Sequence, residues 1–189
     1  DRRGLTTDEQ LECHRKVDGG DTPGFTDVYG RLRWDTPAVT ITAKSSTPSC
    51  GRFLHPEQNR NISVREAAIL QGFPQSFKFE GPFVNQYRQI GEAVPPLFAR
   101  SIAWKILDYF SPQPKVVTFG DNRNPKRLRK PENRNNIYVV DAFAGAGGLS
   151  LGFEKAGCGT AFAFDIDIDA VKTFQKNLGG RVEQLDIQD

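Results

Sequence analysis

The stretch Asp141 to Phe153, DAFAGAGGLSLGF, constrains this chain more than any other. Before it stands IYVV, four β-favouring residues that read as a buried parallel strand. After it, Leu149, Leu151, Phe153 and Ala156 follow at helical spacing, so strand, glycine turn and helix come in that order. Gly145, Gly147 and Gly148 let backbone amides approach a ligand at a helix N-terminus, the usual way an α/β protein holds a nucleotide-like group. Taken alone, such a turn also serves only to connect a strand to a helix.

The sequel favours a ligand. Thr160 to Asp165, TAFAFD, reads as a second strand ending in a carboxylate twenty positions after Gly145, where α/β nucleotide sites place the acid for ribose hydroxyls. Ser150 stands where the dinucleotide fingerprint needs its third glycine. That argues against NAD and leaves room for another adenosine cofactor. Ile168 to Leu178 supplies a further helix, closed by Gly179 and Gly180, and Val182 to Ile187 a short third strand. The last third is thus a β-α-β-α-β half-sheet.

Upstream, RLRWDTPAVTITA (Arg31 to Ala43) alternates through Val39, Ile41 and Ala43, as a half-buried strand would. Thr40 and Thr42 on its other face, with nearby arginines such as Arg33, suit phosphate contacts; a solvated strand face is the alternative. In SVREAAILQGFP, Ser63 and Glu66 form a capping box before a short helix that Gly72 and Pro74 stop. Gly91 to Val94 reads as a tight turn, and Pro95-Pro96 opens a helix with Leu97, Phe98, Ile102, Ala103, Ile106, Leu107 and Phe110 as its apolar face. Ser111 to Asn136 is proline-rich and basic and reads as a mobile linker; its KRLRK cluster either touches a DNA backbone or is simply solvated.

Composition bounds the rest. With 189 residues, 38% hydrophobic and 25% charged, the chain holds one ordinary domain or two small ones and no apolar run that spans a membrane. A net charge of +2 does not by itself indicate nucleic acid. Cys13, Cys50 and Cys158 lack CxxC spacing, and His14 lacks a second ligand, so neither a disulfide framework nor a metal site is expected. A reducing cytoplasm fits best. A chain that begins at Asp1 and holds no methionine reads as a fragment or processed piece of a longer product.

Six segments together resemble the DNA (cytosine-5) methyltransferase family, over most of residues 25 to 110 and 137 to 187. They are DAFAGAGGLSLGF, FDIDIDA and LDI, and, from the family's C-terminal part, RLRWDTPAVTIT, SVREAAILQGFP and QYRQIGEAVPPLFA. The fold the resemblance implies is α/β: a partial, Rossmann-like S-adenosylmethionine-dependent methyltransferase sheet plus the remnant of a small target-recognition domain. Residues 1–80 would end the small domain, 81–111 complete the cofactor site, 112–136 form the linker and 137–189 begin the cofactor domain.

The resemblance also implies roles. Phe143 would pack on the cofactor, and Ala144, Gly145, Ala146, Gly147, Gly148 and Leu149 would surround its methionine end by backbone. Asp165 would bind the ribose and Ile166 lie against the adenine; Asp186 would accept from the adenine amino group, with Ile187 beside it. Glu92, Ala93 and Val94 would close the methionine end from the other side, although the family often has asparagine where Glu92 stands. Duplex DNA is the implied partner, with Arg33, Thr40, Thr42 and Arg65 as its contacts, in a bacterial cytoplasm and associated with the nucleoid.

Two departures stand out. The family's last segments precede its first, an order that looks like a circular permutation or a split gene. The family's nucleophilic Pro-Cys and its Glu-Asn-Val are absent: Cys13 follows Glu12, Cys50 follows Ser49, Cys158 follows Gly157, and Glu132-Asn133 is followed by Arg134. No residue here is expected to be catalytic; the nucleophile is expected beyond Asp189 or on a complementary chain, which would also cover the bare edge of the strand at Ile137 to Val140. The rival reading is a non-catalytic scaffold or regulatory partner of a methyltransferase. An amino-methyltransferase would need an Asp/Asn-Pro-Pro-aromatic segment, which is missing.

Overall fold

The computed structural model describes residues 28–110 and 137–188. These form a mixed α/β structure: α1 (Val64–Leu70), α2 (Phe83–Glu92), α3 (Pro96–Phe110), β1 (Tyr138–Ala142), α4 (Gly148–Ala156), β2 (Gly159–Asp165), α5 (Ile168–Leu178) and β3 (Val182–Gln184). The sheet is parallel with order β1-β2-β3. Asp141 lies opposite Ala163, and both turn to the helices; Val140 lies opposite Phe162.

Helix α1 starts as the sequence predicts. The Ser63 hydroxyl accepts from Glu66 N at 3.2 Å, while Glu66 Oε2 accepts from Ser63 N at 2.7 Å. Arg60 adds a two-pronged pair to the same carboxylate, at 2.7 and 2.9 Å. The helix ends in a Schellman turn, with Gly72 N on Ile69 O and Phe73 N on Ala68 O, and Gly72 at φ +87°.

The principal core joins the two described stretches. Ile41, Phe53, Ile62, Phe73, Phe77, Phe79, Tyr87 and Ile90 pack with Ala146 and Leu151 from the glycine turn and α4. A second cluster sets Ala103 and Leu107 of α3 against Ala156, Cys158 and the start of β1. Polar ties run along the same junction: Glu80 N donates to Thr173 Oγ1 at 2.8 Å, Asn85 Nδ2 to Asp169 Oδ2 at 2.8 Å, and Arg88 pairs with Asp167.

Helices α3 and α4 approach each other closely. A methyl group added at Gly152 would collide with Ala99 Cβ and stand within 2.6 Å of the Pro96 carbonyl oxygen. At Gly148 it would collide with the Val94 carbonyl oxygen. The seam therefore selects small residues, and α3 buries Pro96, Ala99, Ala103 and Leu107. The apolar face expected from spacing is corrected accordingly: Ala103 and Leu107 are inside, but Leu97, Phe98, Ile102, Ile106 and Phe110 are exposed.

Four further expectations change. Arg31 to Ala43 is not a strand; only an isolated bridge joins Arg31 to Leu54. Its Thr42–Ala43 backbone is packed on Gly91 of α2, and Thr42 O accepts from Ser45 N in a turn instead of a ladder. Gly91 and Glu92 close α2 and do not form a loop; only Ala93 and Val94 turn the chain towards Pro96. β1 is not buried on both sides, since Tyr138 and Val140 are 65% and 63% exposed. The third strand stops at Gln184, short of Ile187. The linker from Ser111 to Asn136, with KRLRK, lies outside the described residues, as do Cys13 and His14.

Replacing Gly152 by alanine is expected to cost about 1–3 kcal/mol through overpacking of the seam, read as a lower urea midpoint at unchanged slope. Ser63→Ala is expected to cost about 1 kcal/mol through loss of the cap. Hydrogen bonding from Arg60, opposed by burial, holds the Glu66 carboxyl at about 2 against its ordinary 4.5. Its folded pKa is depressed, so its contribution is present above the ordinary value and is lost as pH falls towards 2. The melting-temperature gap between the unchanged protein and Glu66→Gln should therefore shrink on acidification through that window; a constant gap would contradict the assignment.

Candidate functional site

At the C-terminal end of β1 the chain turns through three left-handed positions, Phe143, Gly145 and Gly147. Phe143 sits at φ +59°, an uncommon conformation for a bulky residue, and Gly147 at φ +89° caps α4. The turn is tied to the next strand by Asp165. Its Oδ2 accepts from Gly145 N at 2.7 Å and its Oδ1 from Asp167 N at 2.9 Å. A methyl group added at Gly145 would meet nothing within 4 Å, so open space lies in front of the turn.

That space is a cavity of about 340 Å³. The glycine turn lines one side with Phe143, Ala144, Gly145 and Leu149, and β2 adds Asp165. The end of α2 and the turn after it line the other with Glu92, Ala93 and Val94. Segments far apart in sequence are thus brought to one cavity. Ala146, Gly147, Gly148, Ile166, Asp186 and Ile187 do not line it. Ala146 is buried in the principal core, Gly147 and Gly148 begin α4, and Asp186 caps its own turn by accepting from Gln188 N at 3.0 Å. Ile166 and Ile187 are exposed, as is Phe143, which tilts against Phe164 at 5.8 Å.

Gln89, Asp141, Ala142, Asp167 and Ala170 also line the cavity, and the sequence reading assigns none of them to a site. Asp141 and Ala142 begin the stretch already singled out, and Asp167 stands two positions beyond Asp165. Gln89 was unreadable until α2 was known, because only a helix sets it one turn before Glu92. Asp141 is buried and accepts from the Ser150 hydroxyl at 2.5 Å; burial pushes its pKa up against that bond.

The cavity is therefore rich in acceptors: Glu92, Asp141, Asp165 and Asp167 offer carboxylates. Backbone of the glycine turn and apolar Phe143, Leu149, Val94 and Ala170 supply the rest. Such a lining suits an organic cation with an apolar body and hydroxyl or amino donors. Among the described residues no cluster of His, Cys, Asp and Glu could hold a metal ion, and no helix is long and apolar enough to cross a membrane. Neither described cysteine lines the cavity: Cys50 is exposed, and Cys158 is buried near α3, its thiol pushed up by burial.

The other predicted contacts lie outside this cavity. Arg33 pairs with Asp35 at 2.9 Å, Thr40 and Thr42 are exposed, and Arg65 Nη1 donates to Phe77 O at 2.7 Å, which fastens the loop after α1.

The chain matches the family model described as C-5 cytosine-specific DNA methylase over residues 4–108 and 137–189. It is 50% identical over 99 residues to the Type II methylase M.HgiDII of Herpetosiphon aurantiacus, covering 50% of this chain and 27% of that protein. It is 48% identical over 83 residues to the Type II methyltransferase M.AgeI of Thalassovita gelatinovora, covering 44% of this chain and 19% of that one. Against the DNA (cytosine-5)-methyltransferase 1 of Mus musculus the identity is 48% over 80 residues, 42% of this chain and 5% of the relative. The chain thus spans under a third of the length of each. On the extent of the family match, the chain belongs to the C-5 cytosine-specific DNA methylases.

Proposed function

We propose that this chain is the cofactor-binding and DNA-binding portion of a DNA (cytosine-5) methyltransferase, which moves a methyl group from S-adenosylmethionine to C5 of cytosine in duplex DNA. The observation that carries the reading is the cavity walled from both sides, by the glycine turn with Asp165 and by Glu92 to Val94. S-adenosylmethionine would supply the activated methyl group. The protein's part is to hold it. Asp165 would take the ribose hydroxyls, Phe143 would pack on the cofactor, and Ile166, Asp186 and Ile187 would meet the adenine from the rim. The backbone of Ala144 to Leu149 and of Glu92 to Val94 would enclose the methionine end. Arg33, Thr40, Thr42 and Arg65 are the proposed DNA contacts.

The fold reading is a partial Rossmann-like sheet with the remnant of a target-recognition domain, its segments in permuted or split order. α3 packs beside α4 and reaches the start of β1, so joining the family's last helix to its first strand strains little. Among the described residues β1 pairs on one edge only, and Tyr138, Val140 and Phe162 share one face of the sheet. Both are accounted for by a further segment or chain carrying Pro-Cys and Glu-Asn-Val, with this chain alone inactive. The missing Pro-Cys equally motivates the second reading, a non-catalytic scaffold or regulatory partner of a methyltransferase. Such a protein belongs with DNA in a bacterial cytoplasm.

Asp165→Ala is expected to weaken S-adenosylmethionine binding by about 1.5–3 kcal/mol; calorimetry showing unchanged affinity would remove Asp165 from the site. Combined with a segment bearing Pro-Cys and Glu-Asn-Val, the chain is expected to transfer tritiated methyl groups to duplex DNA. If no transfer occurs while cofactor still binds, the scaffold reading stands instead.

A further inference from the structure

Gln89 lies on α2 one turn before Glu92 and is only 4% exposed, yet it lines the cavity. Its Nε2 donates to the Glu80 carbonyl at 2.9 Å. That bond fixes the amide, because the flipped form would set two carbonyl oxygens against each other. The remaining Oε1 is buried without a hydrogen-bond partner. A buried acceptor is ordinarily satisfied, and one left over at the wall of a cavity calls for a donor inside it.

The surroundings say which donor. Glu92 on the same helix and Asp141 in the same lining are acceptors when ionised, while Asp167 is already paired with Arg88, so this region suits a cationic group with several N–H donors. We propose that Gln89 Oε1 accepts a hydrogen bond from the α-ammonium of the bound cofactor's amino-acid end, and so selects ligands that carry that end. The inference rests on the cofactor reading above and adds a side chain that the resemblance did not assign.

The test compares two probes on the full chain: S-adenosylhomocysteine, which carries the α-ammonium, and 5′-methylthioadenosine, which does not. Gln89→Met keeps the length of the side chain and removes both polar atoms. It is expected to weaken S-adenosylhomocysteine about tenfold or more and to leave 5′-methylthioadenosine within about twofold. Equal losses on both probes would show that Gln89 only fastens the Glu80 loop, and no loss on either would place its oxygen outside the site; both overturn the inference. If the variant does not fold, the Gln89 side-chain amide resonances of the unchanged protein are expected to shift with S-adenosylhomocysteine and not with 5′-methylthioadenosine, and the same response to both contradicts the proposal. Failure of the unchanged protein to bind either probe would defeat the cofactor reading itself, a different result from any of these.

Discussion

The seam between α3 and α4 is the constraint on which the rest depends. Two helices meet with no room for a methyl group at Gly152, and the Val94 carbonyl presses on the start of α4 at Gly148. That contact holds Val94 and its neighbours over the glycine turn. The same approach draws Ala146 and Leu151 into a core whose other members come from residues 41 to 90. This contact and that core together hold the cavity's two walls in place.

The consequences of the seam explain what the sequence could and could not tell. Helix spacing correctly indicated an amphipathic α3, but side-chain size suggested the wrong face. A backbone-close interface is built from glycine, alanine and proline, which carry little hydrophobic signal, so most bulky residues of α3, Leu107 apart, end up outside. Local rules fared better where the physics is local. The capping box of Ser63 and Glu66, the Schellman turn at Gly72 and the strand-turn-helix at Asp141 each depend on a few neighbouring residues, and each stands in the structure. The misread stretch from Arg31 to Ala43 shows the opposite case: alternation is only a strand signal when a partner strand exists, and here a helix occupies that place.

The site was legible in parts. Phe143 to Gly145, Leu149, Asp165 and Glu92 to Val94, which the motifs point to, line one cavity. Gln89, Asp141 and Asp167 were missed because their value comes from burial and from a helix phase that no short motif states. Asp165 has a structural duty, since its carboxylate joins the turn to the loop after β2. An acid that both shapes a turn and faces a cavity cannot be replaced without loosening the turn.

The central claim is that one ligand is held from both walls at once. Backbone amide shifts of the full chain, followed while S-adenosylhomocysteine is added, test it most directly. Coincident shifts at Ala144 to Leu149 and at Glu92 to Val94, with one dissociation constant for both groups, are the predicted result. Shifts confined to one wall, or shifts only at residues outside the cavity, would contradict the account.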